Sequence, residues 1–316
     1  MTDQPQPQPL PLAEPFVPRL LRRDRTWGDV GIFDVLTLER IDELLFRNRI
    51  NQANVSGQLF GGQVLAQSLA AACGTVSPDR SPHSLHGYFL RAGDAAQPVI
   101  FKVDRSRDGG SFSTRRVVAE QNGEAILHME CSFQIPRAGF DLQAAVPEVP
   151  GPDSLETLAD ILHANADRLP RAFVERFSVI GPFDIKPVDP QQVLGLSATS
   201  QRAAWIRVRG AEVSDNPLLH RVGLLYLSDF WLAAGAVNTQ VPMWQLGSDL
   251  RISSLDHAMW FHRPVRIDDW MLYRTDSPSL MNGTGLNRGL IYDQSGALVA
   301  SVTQEALYRW LKPKAG

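Results

Sequence analysis

Asp229 lies inside LLYLSDFWLAAG, residues 224–235, where ten of twelve residues are apolar or glycine. A buried, unpaired carboxylate costs several kcal/mol, so this one is paired, protonated or present for chemistry. The chemistry that suits it is general-base catalysis, in which it takes a proton from a water that then attacks an electrophile. A second polar residue, Gln304, interrupts the row Leu298, Ala300, Val302, Ala306 in ALVASVTQEALYRW. Polar groups aimed at a core satisfy one another or bind something. His257 in LDHAMWFH is an alternative base, and Asp256-His257 could be the pair that moves a proton at carbon in a hydratase. Each has a plainer reading. Asp229 could pair with Arg251 or Arg263 as a structural ion pair, and a histidine beside Met259, Trp260 and Phe261 is more often packed and satisfied.

Other chemistries find no motif. There is no CxxC, HExxH, glycine-rich phosphate loop or GxSxG, so neither a metal nor a covalent serine route is indicated and no cofactor is expected. Cys73 and Cys131, the only cysteines, lie in apolar surroundings and read as core thiols of a reducing compartment. A net charge of −3 over 316 residues argues against nucleic-acid binding. No stretch of about 20 apolar residues is present, so no membrane span is expected, and the location expected is cytoplasmic. MTDQPQPQPLPLAEPFVP, rich in proline and without an apolar run, reads as a disordered leader within residues 1–35.

The elements that must position Asp229 and Gln304 come in two sets. Residues 38–48, LERIDELLFRN, show apolar positions at helical spacing. LFGGQVLAQSLAAACGTV (59–76) is a helix of small residues from Gly61-Gly62 to Gly74. Strands follow at 84–91, 98–107, 111–121 and 124–134, the last two joined by the hairpin signal Asn122-Gly123. Residues 136–189 read as a proline-punctuated linker with one helix, closed by the extended FDIKPVDP. Then the order repeats: an apolar helix at 220–237 and strands at 254–265, 269–277, 284–294 and 297–310, with Ser295-Gly296 replacing the first turn. YFLRAG and WFHRPV share Phe89/Phe261 and Arg91/Arg263 at nearly equal distance from their turn glycines. The pattern predicts a duplicated α+β unit, residues 36–135 and 190–312, each with one central helix wrapped by an antiparallel sheet.

FGGQVLAQSLAAA, HSLHGYFLRAGD, RDGGSFSTRRVVAEQNG, LDHAMWFHRP and SVTQEAL resemble the acyl-CoA thioesterase II family over about residues 36–310. The resemblance implies a double hotdog fold, an acyl-CoA substrate and a catalytic trio. Asp229 in YLSDF and Gln304 in SVTQEA match two of its members. Ser254 in SSLDH, next to Ser253, stands where the family commonly has threonine.

Comparing the halves locates the site. Aligning LAAACG with WLAAG sets Ser68 opposite Asp229, and aligning the turn glycines sets Cys131 opposite Gln304. Polar residues thus occupy two positions in the second half where small ones stand in the first. Asp229 would activate water for thioester hydrolysis, with Gln304 and Ser254 holding it in line. An amide near Gly61-Gly62 could stabilise the oxyanion. Arg115 and Arg116 could meet the CoA phosphates, or be solvated arginines beside a tight turn. A catalytically silent acyl-CoA-binding module is the competing class. Open sheet edges and flat faces predict a homo-oligomer.

Overall fold

The computed structural model describes residues 16–21, 30–54, 56–178, 180–246 and 249–311. The first half contains β1 (Arg19–Leu21), α1 (Ile32–Leu36), β2 (Leu38–Asp42), β3 (Leu45–Asn48), β4 (Ile50–Gln52) and α2 (Gly61–Cys73). It ends with β5 (Ser81–Phe89), β6 (Ile100–Asp108), β7 (Phe112–Gln121) and β8 (Glu124–Gln134). A connection carrying α3 (Leu158–Ala164) and α4 (Arg171–Phe177) leads to β9 (Phe183–Pro187), α5 (Pro190–Val193), β10 (Arg202–Val208) and α6 (Pro217–Ser228). The chain closes with β11 (Leu250–Ser254), β12 (Asp256–Phe261), β13 (Met271–Met281), β14 (Thr284–Tyr292) and β15 (Leu298–Trp310).

One antiparallel sheet runs through both halves in the order β2-β3-β6-β7-β8-β5-β12-β15-β14-β13-β10-β9, with β11 also on β15. The halves meet where β5 pairs with β12, His86 opposite Ala258. Their equivalence extends to hydrogen bonds. Arg91 Nη1 donates to Ala125 O at 2.9 Å and Arg263 Nη1 to Leu298 O at 2.8 Å. Asn122 and Gly123 take φ of 51° and 80°, the conformation that a tight two-residue hairpin needs.

The two central helices pack on each other inside the sheet. α2 is apolar or small nearly all round, as a helix enclosed on every side must be. Its close approach to α6 requires glycine at 62, where a Cβ would lie 2.6 Å from the Tyr226 carbonyl oxygen.

Several elements differ from the sequence reading. Residues 38–48 form the β2–β3 hairpin rather than a helix, because β3 pairs with the edge of β6 and turns Phe46 and Asn48 inward. Pairing and burial here outweigh the local period. The second helix starts earlier, at Pro217, where the Asn216 side chain accepts from Leu218 N at 3.0 Å. It also ends earlier, at Ser228. After it Trp231 adopts φ 68°, and Leu232–Ala234 form a short 3-10 turn. The strand expected over 254–265 is broken at Leu255 into β11 and β12. FDIKPVDP becomes β9, paired with β10, a strand the sequence reading passed over. The expectation of a disordered leader over 1–35 falls partly outside the described residues. Within them it is corrected: β1 pairs with β4, and α1 packs on α2 and α6 with Ile32 and Val35 fully buried.

Candidate active site

Asp229 caps the C-terminal end of α6 and meets the N-terminal end of α2. Its side chain is 8% exposed. Burial raises its pKa; a hydrogen bond from Gln304 and one from the Gly62 backbone N–H oppose that rise. Among the described residues no arginine pairs with it. Arg263 is bound to Asp141 and Leu298 O, and Arg251 is exposed on β11.

Gln304 comes in from β15, fully buried. Its Nε2 lies 2.6 Å from Asp229 Oδ1, 3.1 Å from Ser254 Oγ and 3.3 Å from His257 Nδ1. The structure thus brings Gln304 together with Ser254 and Asp229, which lie 50 and 75 positions before it in the chain. Each arrives from a different element: a helix end, β11 and β15.

His257 is part of this network but not as a base. Burial, then the charge of His86, pushes its pKa down to about 3, so it is neutral at ordinary pH. Its tautomer follows from its partners. The Ser228 hydroxyl donates to Leu225 O at 2.8 Å, so Ser228 Oγ accepts from His257 Nε2 at 2.9 Å. Nδ1 is then the lone-pair nitrogen and accepts from Gln304 Nε2. Ser228 is in turn fixed through its carbonyl, which accepts from Tyr273 Oη at 2.8 Å. Asp256, next in sequence to His257, points to the opposite face of the sheet, where it contacts His86 Nε2 at 3.0 Å. The hydratase-type pair is therefore not formed.

A cavity of about 500 Å³ opens over this network, lined among others by Gly61, Phe89, Asp229, Trp231 and Ser254. Gly61 begins α2, whose positive dipole end faces the Asp229 carboxylate. The tentative substrate contacts divide. Gly61 lines the cavity, Gly62 holds Asp229 through its N–H, and His257 lies beneath, behind Gln304. Arg115 and Arg116 are not brought there. Arg115 is 2% exposed and binds Thr75 and Asp108, while Arg116 points outward from the same strand. Two exposed arginines that the sequence reading did not assign, Arg91 and Arg309, do line the cavity. Ser228 and Tyr273 were also unassigned. Ser228 could have been noticed as the second polar residue of LLYLSDFWLAAG, whereas nothing local marks Tyr273.

Comparison with known proteins agrees with this architecture. A model of the acyl-CoA thioesterase N-terminal domain matches residues 51–134, and one of the C-terminal domain matches 147–308. Acyl-CoA thioesterase 2 of Haemophilus influenzae is 33% identical over 281 residues, covering 89% of this chain and 97% of its own. The crystal structure of an acyl-CoA thioesterase II from Mycobacterium marinum superposes with a TM-score of 0.73 at 40% identity, covering 90% of this chain and all of that one. A hot dog fold protein of unknown function from Alicyclobacillus acidocaldarius superposes with a TM-score of 0.69 at 20% identity, covering 89% and 97%, a likeness of fold alone. The chain belongs to the acyl-CoA thioesterase II family and is a thioester hydrolase built as a double hotdog.

Proposed function

We propose that this chain hydrolyses acyl-CoA to the free acid and CoA through Asp229, Gln304 and Ser254. The observation that carries the reading is the Gln304 amide, which joins Asp229 and Ser254 at the cavity wall. With Oδ1 engaged by Gln304, the other carboxylate oxygen of Asp229 serves the water. Asp229 takes one proton as the water oxygen attacks the thioester carbon. The carbonyl oxygen gains the electron pair, and the Gly61 N–H at the first turn of α2 stabilises it; Gly62 N–H already holds Asp229. Collapse breaks the C–S bond, and the proton on Asp229 passes to the departing thiolate.

Arg91 and Arg309 are the proposed contacts for the CoA phosphates, in place of Arg115 and Arg116. The catalytic half is residues 190–312, the partner half 36–135 and the linker 136–189. Tyr88 and Trp260 are 53% and 43% exposed on neighbouring strands where the halves join, which supports a homo-oligomer. Light scattering at micromolar concentration is expected to give a multiple of 35.0 kDa. Among the described residues no helix is long and apolar enough to cross a membrane, and the proposed location is the cytoplasm. The function is tested by thiol release from acyl-CoA with a thiol-reactive dye, beside absorbance change with an enoyl-CoA. Release without hydration is expected. Hydration without release, or binding without either, would replace this reading.

A further inference from the structure

A second, smaller cavity lies on the far side of Trp231. It measures about 30 Å³, and its walls include Val193, Arg202, Ala204, Ile206 and Tyr273. Among the described residues, Trp231 alone lines both this space and the large cavity over Asp229. Its ring lies within 5.6 Å of the Phe230 ring, nearly parallel at 21°. The guanidinium carbon of Arg202 lies 4.7 Å from the indole centroid. Trp231 is held in the left-handed region at φ 68°. A bulky residue stays in that region only where its surroundings over-determine it, and such positions cluster at ligand clamps.

What Trp231 covers is unusual. Arg202 is 9% exposed and has no carboxylate partner among the described residues. Among the described residues its Nη2 reaches only the Met243 sulfur, at 3.6 Å, and Nη1 has no hydrogen-bond partner. An apolar chain pushed against a buried guanidinium that has no carboxylate partner would lose that cation its remaining relief, an unfavourable end for a lipid pocket. The indole ends the cavity with an apolar face instead.

We infer that Trp231 is the specificity-determining wall of the acyl pocket: it sets how long a chain fits and screens that chain from Arg202. The inference rests on the reading that the cavity over Asp229 receives the acyl group. Removing the indole joins the two spaces. Since one methylene in an apolar pocket is worth roughly tenfold or more in kcat/KM, the added depth should be visible in the chain-length profile.

The test is kcat/KM for straight-chain acyl-CoAs from butyryl to palmitoyl, measured on wild type, Trp231→Gly, Trp231→Phe and Trp231→Gly/Arg202→Met, with melting temperatures on the same preparations. Glycine suits the left-handed backbone, so Trp231→Gly is expected to fold. Its ratio of longest-chain to shortest-chain kcat/KM should rise at least about tenfold over wild type. Trp231→Phe should keep the wild-type profile, and the double variant should extend the shift by removing the charge. An unchanged ratio in Trp231→Gly, or an equal fall for every chain length, overturns the wall and leaves hydrolysis standing. A Trp231→Phe profile shifted as far as that of Trp231→Gly also overturns it. Wild type that releases no CoA from any substrate overturns the hydrolase reading, and the wall with it.

Discussion

The two central helices end differently, and the proposed active site lies in the difference. α2 continues through Ser68 to Cys73, while the aligned stretch in the second half leaves the helix at Asp229. Ser68 closes an ordinary helical contact, donating to Val64 O at 2.8 Å. Asp229 stands at a broken end, beside a left-handed Trp231 and a 3-10 turn, and lines the cavity. The frames around them are otherwise alike. Arg115 lies opposite Cys131 on the neighbouring strand, and Asn287 lies opposite Gln304. Arg115 holds the chain just past α2 through Thr75 Oγ1 at 2.9 Å, and Asn287 holds the aligned point beyond the 3-10 turn that follows α6, accepting from Ala236 N at 3.1 Å. Duplication supplied two copies of one scaffold. The copy that stops its helix early opens onto the large cavity, and there the small Ser68 and Cys131 give way to Asp229 and Gln304. Cys131 itself is buried with its pKa raised by desolvation, an inert thiol in the quiet half.

The comparison breaks most visibly at Asp229. Asp229→Asn should lower kcat by about 10²–10⁴-fold, the range for a lost general base, with little change in substrate binding. Stability should move the other way. The folded pKa of Asp229 is raised, so folding disfavours its charged form. Its contribution is most favourable below the unfolded value and is lost as pH rises through the folded one. At pH 7 the amide therefore raises the melting temperature, and this advantage should shrink as pH falls toward 4. Near-wild-type kcat in folded Asp229→Asn would end the mechanism. Gln304→Ala should come next, with a loss of about 10²-fold for a missing positioned donor. Adding it to Asp229→Asn should cost less than the sum of the two effects, because both residues hold one water. Additive losses would separate Gln304 from that water.

A subtler break concerns pH. The rate should fall as pH drops through the raised pKa of Asp229, because the base must be ionised. His257, already neutral with a pKa near 3, should contribute no inflection between pH 5 and 9. His257→Leu, which places the first half's Leu85 chemistry at this strand, should lower kcat by about tenfold through a loosened Gln304 while leaving the acid limb where it is. A shifted limb would give His257 a proton-transfer role.

Much of this was legible in the sequence, and what was not has identifiable causes. α2 could be read because its signal is local: a run of small apolar residues opened by two glycines and closed by Gly74. Asn122-Gly123 could be read because φ above zero at both positions demands such residues. The end of α6 could not, since LLYLSDFWLAAG contains no breaker before Gly235. The interactions at that end come from afar, from Tyr273 on Ser228, Arg202 under Trp231 and Asn287 on Ala236. Asp229 was found as an oddity of composition, but its place at a helix end was not. Arg115 was misread for a related reason. It belongs to the buried alternation Ser113, Arg115, Val117, Ala119, which points inward, yet its partners Thr75 and Asp108 converge only in the fold. β10 carries no alternation, being buried at most positions, and so resembled neither period.

The smallest expected effect is at Ser68, and it carries the sharpest control. Ser68 is fully buried on the central helix, aligned with Asp229, and its one side-chain hydrogen bond among the described residues goes back to Val64 O. Replacing it with alanine removes that bond, worth about 1 kcal/mol net. The same change gains helix propensity of up to about 0.7 kcal/mol, since alanine is the better helix former. The two nearly cancel, so the melting temperature of Ser68→Ala should stay within a few degrees of wild type. Turnover should be unchanged, because Ser68 lies within the continuous part of α2 and its hydroxyl is engaged by Val64 O rather than by the Asp229–Gln304–Ser254 network. A measured loss of kcat in folded Ser68→Ala would mean that the first half takes part in the chemistry. The division into a scaffold copy and a catalytic copy would then be wrong, whatever Asp229→Asn had shown.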